Sequence, residues 1–332
     1  MARLLFQLFR HVPTAQASLA LAVMGSSLAW SLYWPSMTGV IRPICLGFAV
    51  LLLLPVLVKY CCYPHLFLQD LRHPLYGGLM APISMCLLII ADYLTLLNLT
   101  LARAVWFPAI ALHLGMMLYF YQHQIRNFRL IHLLPSWFLY PVGGISGTLA
   151  GPSLGFHQMT YVMTLVCIAI YFVMLPVVLY RLCFAGRLPR PARPTLAIMA
   201  APVNLALAAY LANMSQPDPI LVGALAGVAI TMTILVYLCY FYLLRQRFQP
   251  SIAALTFPSV ISVVAMYRLT SFFAQDHTHW LWLKALGIIE LIVATGLMAW
   301  VIGHFILHYW HQRHFLLQLY RPPLAVEVNS AD

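Results

Sequence analysis

The sequence predicts an all-α integral membrane protein of ten transmembrane helices, folded as five helical hairpins in a quasi-fivefold arrangement around a central pore. Three observations carry that expectation. Hydrophobic residues make up 63% of the 332-residue chain and charged residues only 8%, against about 25% charged in a soluble domain. Proline recurs at corresponding places: Pro13 opens the first apolar stretch, and Pro82, Pro141, Pro202 and Pro258 sit inside the third, fifth, seventh and ninth, separated by 69, 59, 61 and 56 residues. Each gap is one hairpin that crosses a bilayer and returns, at about 20 residues per crossing. Finally, the basic residues gather in alternate connections.

The spans fall at 13–33, 38–58, 74–97, 103–121, 134–154, 158–180, 194–214, 219–244, 250–273 and 280–303. The first follows MARLLFQLFRH, which imitates a secretory signal, but Arg10 and His11 interrupt its short apolar run. Residues 1–12 therefore read as a retained cytosolic segment, 13–310 as the transmembrane domain and 311–332 as a cytosolic tail. The second span, around AVLLLLPVLV, is followed by Lys59; the sixth and eighth carry TLVCIAIYFVML and ITMTILVYLCYFYLL. Such even spans suit a lipid-facing outer ring. The odd spans instead place small or weakly polar residues beside their prolines: Ser84 in the third, Gly143, Gly144, Ser146 and Gly147 in the fifth, Asn204 in the seventh, Ser259 in the ninth. Small residues allow close backbone approach. An interior proline frees the carbonyl four residues earlier, here Gly78, Trp137, Ile198 and Ala254. Lipid cannot satisfy such groups, so the odd spans are expected to line a pore.

Orientation follows from charge. Arg3, Arg10, Lys59, Arg72, Arg126, Arg129, Arg181, Arg187, Arg190, Arg193, Arg245, Arg247, Arg313 and Arg321, fourteen of the eighteen Lys and Arg, lie on the side of the N-terminus. The positive-inside rule puts both termini in the cytoplasm of an inner-membrane protein. Spread thinly over short connections, these residues make no nucleic-acid face.

The hairpin count and the strings HVPTAQASLALAVMGSSLAW, DLRHPLYGGLMAPISMCLLIIADY, LPSWFLYPVGGISGTLA and LTFPSVISVVAMYRLTSFF resemble the tellurite-resistance/dicarboxylate transporter (TDT) family. TehA-like bacterial proteins, yeast malate and sulfite transporters and the plant slow-type anion channel belong to it. The resemblance spans roughly residues 11 to 310. It implies five hairpins around one pore per subunit, a homotrimer, and passage of small anions: halide, nitrate, sulfite, dicarboxylate or a tellurium oxyanion. It also implies that Phe257, immediately before Pro258, plugs the pore. The physics agrees, since a planar apolar ring at a bend closes a narrow path by exclusion and dewetting. The other pore-lining or kink positions on this reading are Pro13, Pro82, Ser84, Pro141, Gly143, Gly144, Pro202, Asn204 and Ser259. A weakly polar path suits large anions, which shed water readily, while the net charge of +11 raises their local concentration.

Ionisable residues within spans are few. Asp92 follows Pro82 by ten residues and Arg268 follows Pro258 by ten, which puts them at matched depth as a pair; Glu290 in the tenth span is the rival partner for Arg268, and Arg268 reaching the periplasmic interface is the third reading. Proton-coupled C4-dicarboxylate carriage with Asp92 titrating is an alternative function. A remoter one is a metal-dependent membrane enzyme using His304, His308, His311 and His314, which recur at helical spacing. Such an enzyme needs further histidine clusters on the same face, and the chain lacks that density. The seven cysteines show no metal-ligand pattern, and no phosphate-binding GxxxxGK[ST] loop occurs. The expectation is a transport protein rather than an enzyme, without a cofactor.

Overall fold

A computed structural model describes residues 9–274 and 281–319, with side chains described through residue 312 apart from Leu281. The helices are α1 (Gln16–Tyr33), α2 (Thr38–Cys62), α3 (Pro64–Arg72), α4 (Pro74–Gly78), α5 (Ala81–Leu94), α6 (Leu99–Arg126), α7 (Gly151–Leu154), α8 (His157–Phe184), α9 (Ala201–Asn213), α10 (Pro219–Leu243), α11 (Thr256–Phe273) and α12 (Leu281–Leu319). The described residues contain no strand.

Eight stretches among the described residues are long and apolar enough to cross a bilayer. Two of the ten expected spans are not among them. The first, α1, has eighteen residues and is diluted by Gln16, Ser18, Ser26, Ser27 and Ser31. The fifth is not one helix: it breaks into 3₁₀ turns at Pro135–Leu139 and Gly143–Gly147 followed by the single turn α7. Pro135, Pro141 and Pro152 remove donors along it, and four glycines between 143 and 151 lower its helix propensity.

Burial separates two layers. In the crossings Pro74–Leu94, Arg190–Asn213 and Pro250–Phe273, 83% of the most apolar stretch is buried, against 22–39% in the other five. All of α1 except Trp30 and Leu32 is buried, as are both 3₁₀ turns of the fifth segment. These inner elements pack in a closed cycle: α1 on α5, α5 on the 143–147 turn, that turn on α9, α9 on α11, and α11 back on α1. Outside them, α2 packs on α1, α6 on α5, α8 and α10 on α9, and α12 on both α11 and α1. The outer helices leave large apolar side chains such as Leu51, Val173 and Phe241 exposed, a surface suited to lipid.

The prolines act differently from the interior kinks that the sequence suggests. Pro82 and Pro202 stand in the first turns of α5 and α9, Pro258 is the third residue of α11, Pro13 precedes α1, and Pro141 joins the two 3₁₀ turns. Helix N–H groups in the first turn have no intrahelical partner in any case, so a proline there costs no bond. Short 3₁₀ segments, Arg190–Met199 and Pro250–Leu255, lead into α9 and α11. The crossings that carry Pro202 and Pro258 are thus each a run of 3₁₀ turns followed by an α-helix whose first turn holds the proline. The carbonyl of Trp137, expected to be freed, accepts from the Tyr121 hydroxyl at 2.9 Å.

Candidate functional site

The inner cycle surrounds an axis, and Phe257 lies on the element that closes the cycle. Its side chain is 3% exposed. Helix α1 passes close by at Gly25: a Cβ there would sit 3.2 Å from Val260 Cγ1 and 3.7 Å from Phe257 Cε2. The ring is therefore held against a backbone with no side chain of its own. The space is so close that even a methyl group at Gly25 would press on Val260.

The small polar residues beside the prolines are engaged with the outer helices. Ser84 Oγ lies 2.8 Å from His113 Nδ1 of α6, and His113 Nε2 donates to the Tyr140 carbonyl at 2.7 Å. Asn204 Nδ2 donates to Thr233 Oγ1 of α10 at 2.9 Å and to Ala200 O at 2.8 Å. Ser259 Oγ and Tyr240 Oη, also of α10, are 2.7 Å apart, and both reach the Leu255 carbonyl. These three side chains join inner to outer helices at the proline level. Gly143 and Gly144 serve close packing: a Cβ on the first would meet Met85 Sδ at 2.7 Å, and one on the second would meet Met163 Cε at 3.3 Å.

Among the intramembrane charges, Asp92 Oδ2 pairs with Arg42 Nη2 of α2 at 3.5 Å, and the Arg42 guanidinium lies over the Tyr93 ring. The direct ion pair of Asp92 is thus with α2, which packs on α1 and α5 and brings its cation from outside the ring; Arg268 makes no ion pair with Asp92 among the described residues but stands near enough for the two charges to act on one another. Arg268 lines a cavity of about 160 Å³ with Ser215 and Ser271 at the end of the bundle away from the basic connections. Glu290 does not partner it either. That carboxylate borders a cavity of about 240 Å³ beside Asn204, Tyr237 and Ser262, and its Oε2 has no hydrogen-bond partner among the described residues.

At the basic end of the axis, a cavity of about 430 Å³ is bordered by the starts of four inner crossings, at Pro13, Leu75, Pro191 and Pro250. One wall is a charge cluster. Asp70 Oδ2, on α3, accepts from Lys59 Nζ at 2.9 Å, Tyr60 Oη at 2.9 Å and Thr14 Oγ1 at 3.0 Å, and Lys59 also donates to Thr14 at 3.1 Å. The start of α1, the end of α2 and α3 are tied together there. His73 caps α4, its Nδ1 accepting from Leu75 N at 3.2 Å and Tyr76 N at 3.3 Å. Partial desolvation of this largely exposed side chain, opposed by the nearby Asp70 carboxylate, lowers the His73 imidazole below its ordinary pKa, which favours the neutral acceptor that a cap needs.

Of the histidine stripe on α12, His304 Nδ1 bonds the Trp300 carbonyl at 3.0 Å, His311 Nδ1 bonds Leu307 O at 2.7 Å, and His308 borders the basic-end cavity. The side chain of His314 lies outside the described residues. Among those residues, no group of His, Cys, Asp and Glu could hold a metal ion. Sequence reasoning missed Gly25, Arg42, Asp70 and His113. Arg42 is a lone cation within an apolar span and Asp70 one of only seven acids, so scarcity was the available signal.

The sequence profile of the voltage-dependent anion channel (SLAC1) family matches residues 11–308. The resemblance drawn from the quoted strings is borne out by that match. Two uncharacterised transporters of Methanocaldococcus jannaschii are also similar. MJ0762 is 26% identical over 233 residues, covering 63% of this chain and 68% of its own length. MJ0576 is 28% identical over 221 residues, covering 60% and 63% respectively.

Proposed function

The chain belongs to the voltage-dependent anion channel family, and from that premise we propose that it passes small anions along the axis of its inner crossings through a path closed by the Phe257 ring. It is a multi-pass helical membrane protein of a family of anion channels and transporters. The carrying observation is the closed packing cycle of five inner elements, with a buried phenylalanine seated against Gly25. An aromatic ring facing a bare stretch of backbone obstructs a narrow apolar path by steric exclusion and dewetting, and it needs only a rotamer change to clear it.

On this reading α1 and the broken fifth segment count as crossings, giving ten spans in five hairpins with quasi-fivefold order. The basic end, which includes the Lys59–Asp70 cluster, faces the cytoplasm of an inner membrane, and both termini lie on that side. Residues 13–310 form the transport unit, with 1–12 and 311–332 as its cytosolic segments, and three copies assemble. The prolines set the level at which the inner helices begin. Ser84, Asn204 and Ser259 brace those helices against the outer layer, which leaves the path lined chiefly by apolar side chains and backbone.

Anion-replacement currents test the proposal. Purified protein in planar bilayers, with halide, nitrate, sulfite or malate as the sole anion, is expected to give currents that reverse at the anion's equilibrium potential. The reading fails if the current follows the cation, or if no anion carries any.

A further inference from the structure

Between the outer helices α6 and α8 lies a cavity of about 760 Å³, larger than the three already described. Its walls are residues 106–117 of α6 and 158–170 of α8, and its floor includes Pro141 and Gly144 of the broken fifth segment. The carbonyls of that segment are taken up by α6: Trp106 Nε1 donates to Gly147 O at 2.9 Å and His113 Nε2 to Tyr140 O at 2.7 Å. Leu114, Met159, Val162 and Val166 present exposed apolar side chains along the groove. At 1.5 Å of rise per residue the α6 wall is about 16 Å deep. That is one leaflet of a hydrocarbon core about 30 Å thick. The mouth of the groove lies at the end of the bundle away from the basic connections, where α6 and α8 both begin. Arg103 stands there, one turn before Trp106 and so on the same face of α6. Its side chain is exposed and makes no ion pair among the described residues. Nη2 holds the Leu154 carbonyl at 2.9 Å, and the guanidinium lies over the Phe156 ring, 5.6 Å from its centroid. Phe156 in turn stacks on Trp106, so the cation is fixed between the tops of the two walls.

We propose that this groove is a phospholipid site: an acyl chain from the leaflet away from the basic connections fills it, and the phosphate of the same lipid pairs with Arg103. The inference goes beyond the anion path and rests only on the membrane spans. An apolar groove offers water too few partners to order it, and hydrocarbon is the solvent on either side. A guanidinium at the membrane interface binds phosphate oxygens through several N–H groups at once, and Arg103 has N–H groups beyond the one spent on Leu154. A phospholipid brings the anion and the chain in one molecule, at the spacing the groove sets. A second copy of this chain would have to bring a ridge into the groove and an acid to the height of Arg103. Among the described residues the acids at that end are Asp92, paired with Arg42, and Asp218, which caps α10. The acyl chain also completes the cover of the fifth segment at Pro141, which is half-buried where Tyr140 and Val142 are buried.

Native mass spectrometry of the purified full-length protein, stripped of lipid and titrated with phosphatidylglycerol, reads bound lipid and oligomeric state in one spectrum. Wild type should show a saturable lipid site in each protomer. Val166→Trp, which places an indole in the groove from an exposed position, should weaken that site about tenfold or more, and Val162→Trp serves if Val166→Trp does not elute as folded protein. Arg103→Gln should weaken it about tenfold, the loss of one charge-assisted contact. Diacylglycerol, which has the chains without the phosphate, should bind wild type and Arg103→Gln alike. Leu51→Trp, on the exposed face of α2, should bind phosphatidylglycerol as wild type does. Unchanged phosphatidylglycerol affinity in either the groove-filling variant or Arg103→Gln would overturn the proposal. So would a smaller assembly in the groove-filling variant with its lipid binding intact, which would give the groove to a second copy of the chain.

Discussion

Replacing Asp70 by Asn keeps the shape of the side chain and one acceptor oxygen but removes the charge that Lys59, Tyr60 and Thr14 share. The gross attraction between charges 2.9 Å apart is about 5–6 kcal/mol at an effective dielectric of roughly 20. Desolvation of both groups offsets much of it, and breaking a buried pair from one side costs about 3–5 kcal/mol. The Lys59 side chain is 8% exposed and that of Asp70 20%, on a cavity wall, so water reaches part of the cluster and the loss should be nearer 2–3 kcal/mol. Lys59→Gln should cost a similar amount. The double variant, with no stranded charge, should lose less than the sum of the two by about 1–2 kcal/mol. Equilibrium unfolding in mixed micelles, followed by tryptophan fluorescence, gives all four corners of this cycle. Additive losses would mean that the two charges do not act together, and the account of how α3 is fastened to the start of α1 would be wrong.

Three further outcomes are expected. Asp92→Asn and Arg42→Gln should each lower folded yield, with the double variant recovering part of it, while combining Asp92→Asn with Arg268→Gln should recover less; a larger recovery with Arg268→Gln than with Arg42→Gln would make Arg268 the principal partner. In a cysteine-free background, cysteines at Leu96 and Ser215 should react with an impermeant thiol reagent from outside intact cells, and ones at Arg187 and Arg247 only after permeabilisation; inverted labelling defeats the orientation. His73 has a folded pKa below its unfolded value of about 6.5, so the unfolded chain binds the proton more readily. The stability it contributes is complete above about pH 6.5 and declines as pH falls toward the folded value. His73→Asn, which can cap without titrating, should flatten that decline between pH 6.5 and 5, and an unaltered slope would remove His73 as its source.

The membrane class and the division into inner and outer crossings were legible because each has a compositional signature: long apolar runs outside, prolines with small residues inside. The broken fifth segment reads as a helical span because Trp137, Phe138, Leu139 and Ile145 are as apolar as a helix core; only the density of glycine and proline marks it as turns. The direction of the polar side chains was not legible. An inner helix that is apolar all round has no periodic signal to say which face meets the axis, so Ser84, Asn204 and Ser259 read equally well as lining or as braces. Asp92 shows a different limit. Matching depths along helices identified where a cation should be but not from which layer, and the nearer one arrived on α2 at Arg42. Phe257 was picked out by its place beside Pro258 and by family resemblance, while its neighbour Gly25 emerges only once α1 and α11 are seen packed together.

The central claim is that the Phe257 ring closes the path, and basal conductance of Phe257→Ala in planar bilayers tests it most directly. The substitution removes the ring, leaves Pro258 and the start of α11 in place, and opens the space facing Gly25. Anion current at a fixed voltage should rise about tenfold or more, a barrier lowered by at least about 1.4 kcal/mol, whereas Phe172→Ala, on the outer face of α8, should conduct as wild type does. A folded Phe257→Ala protein whose anion current equals that of wild type would reduce Phe257 to a packing residue and contradict the account.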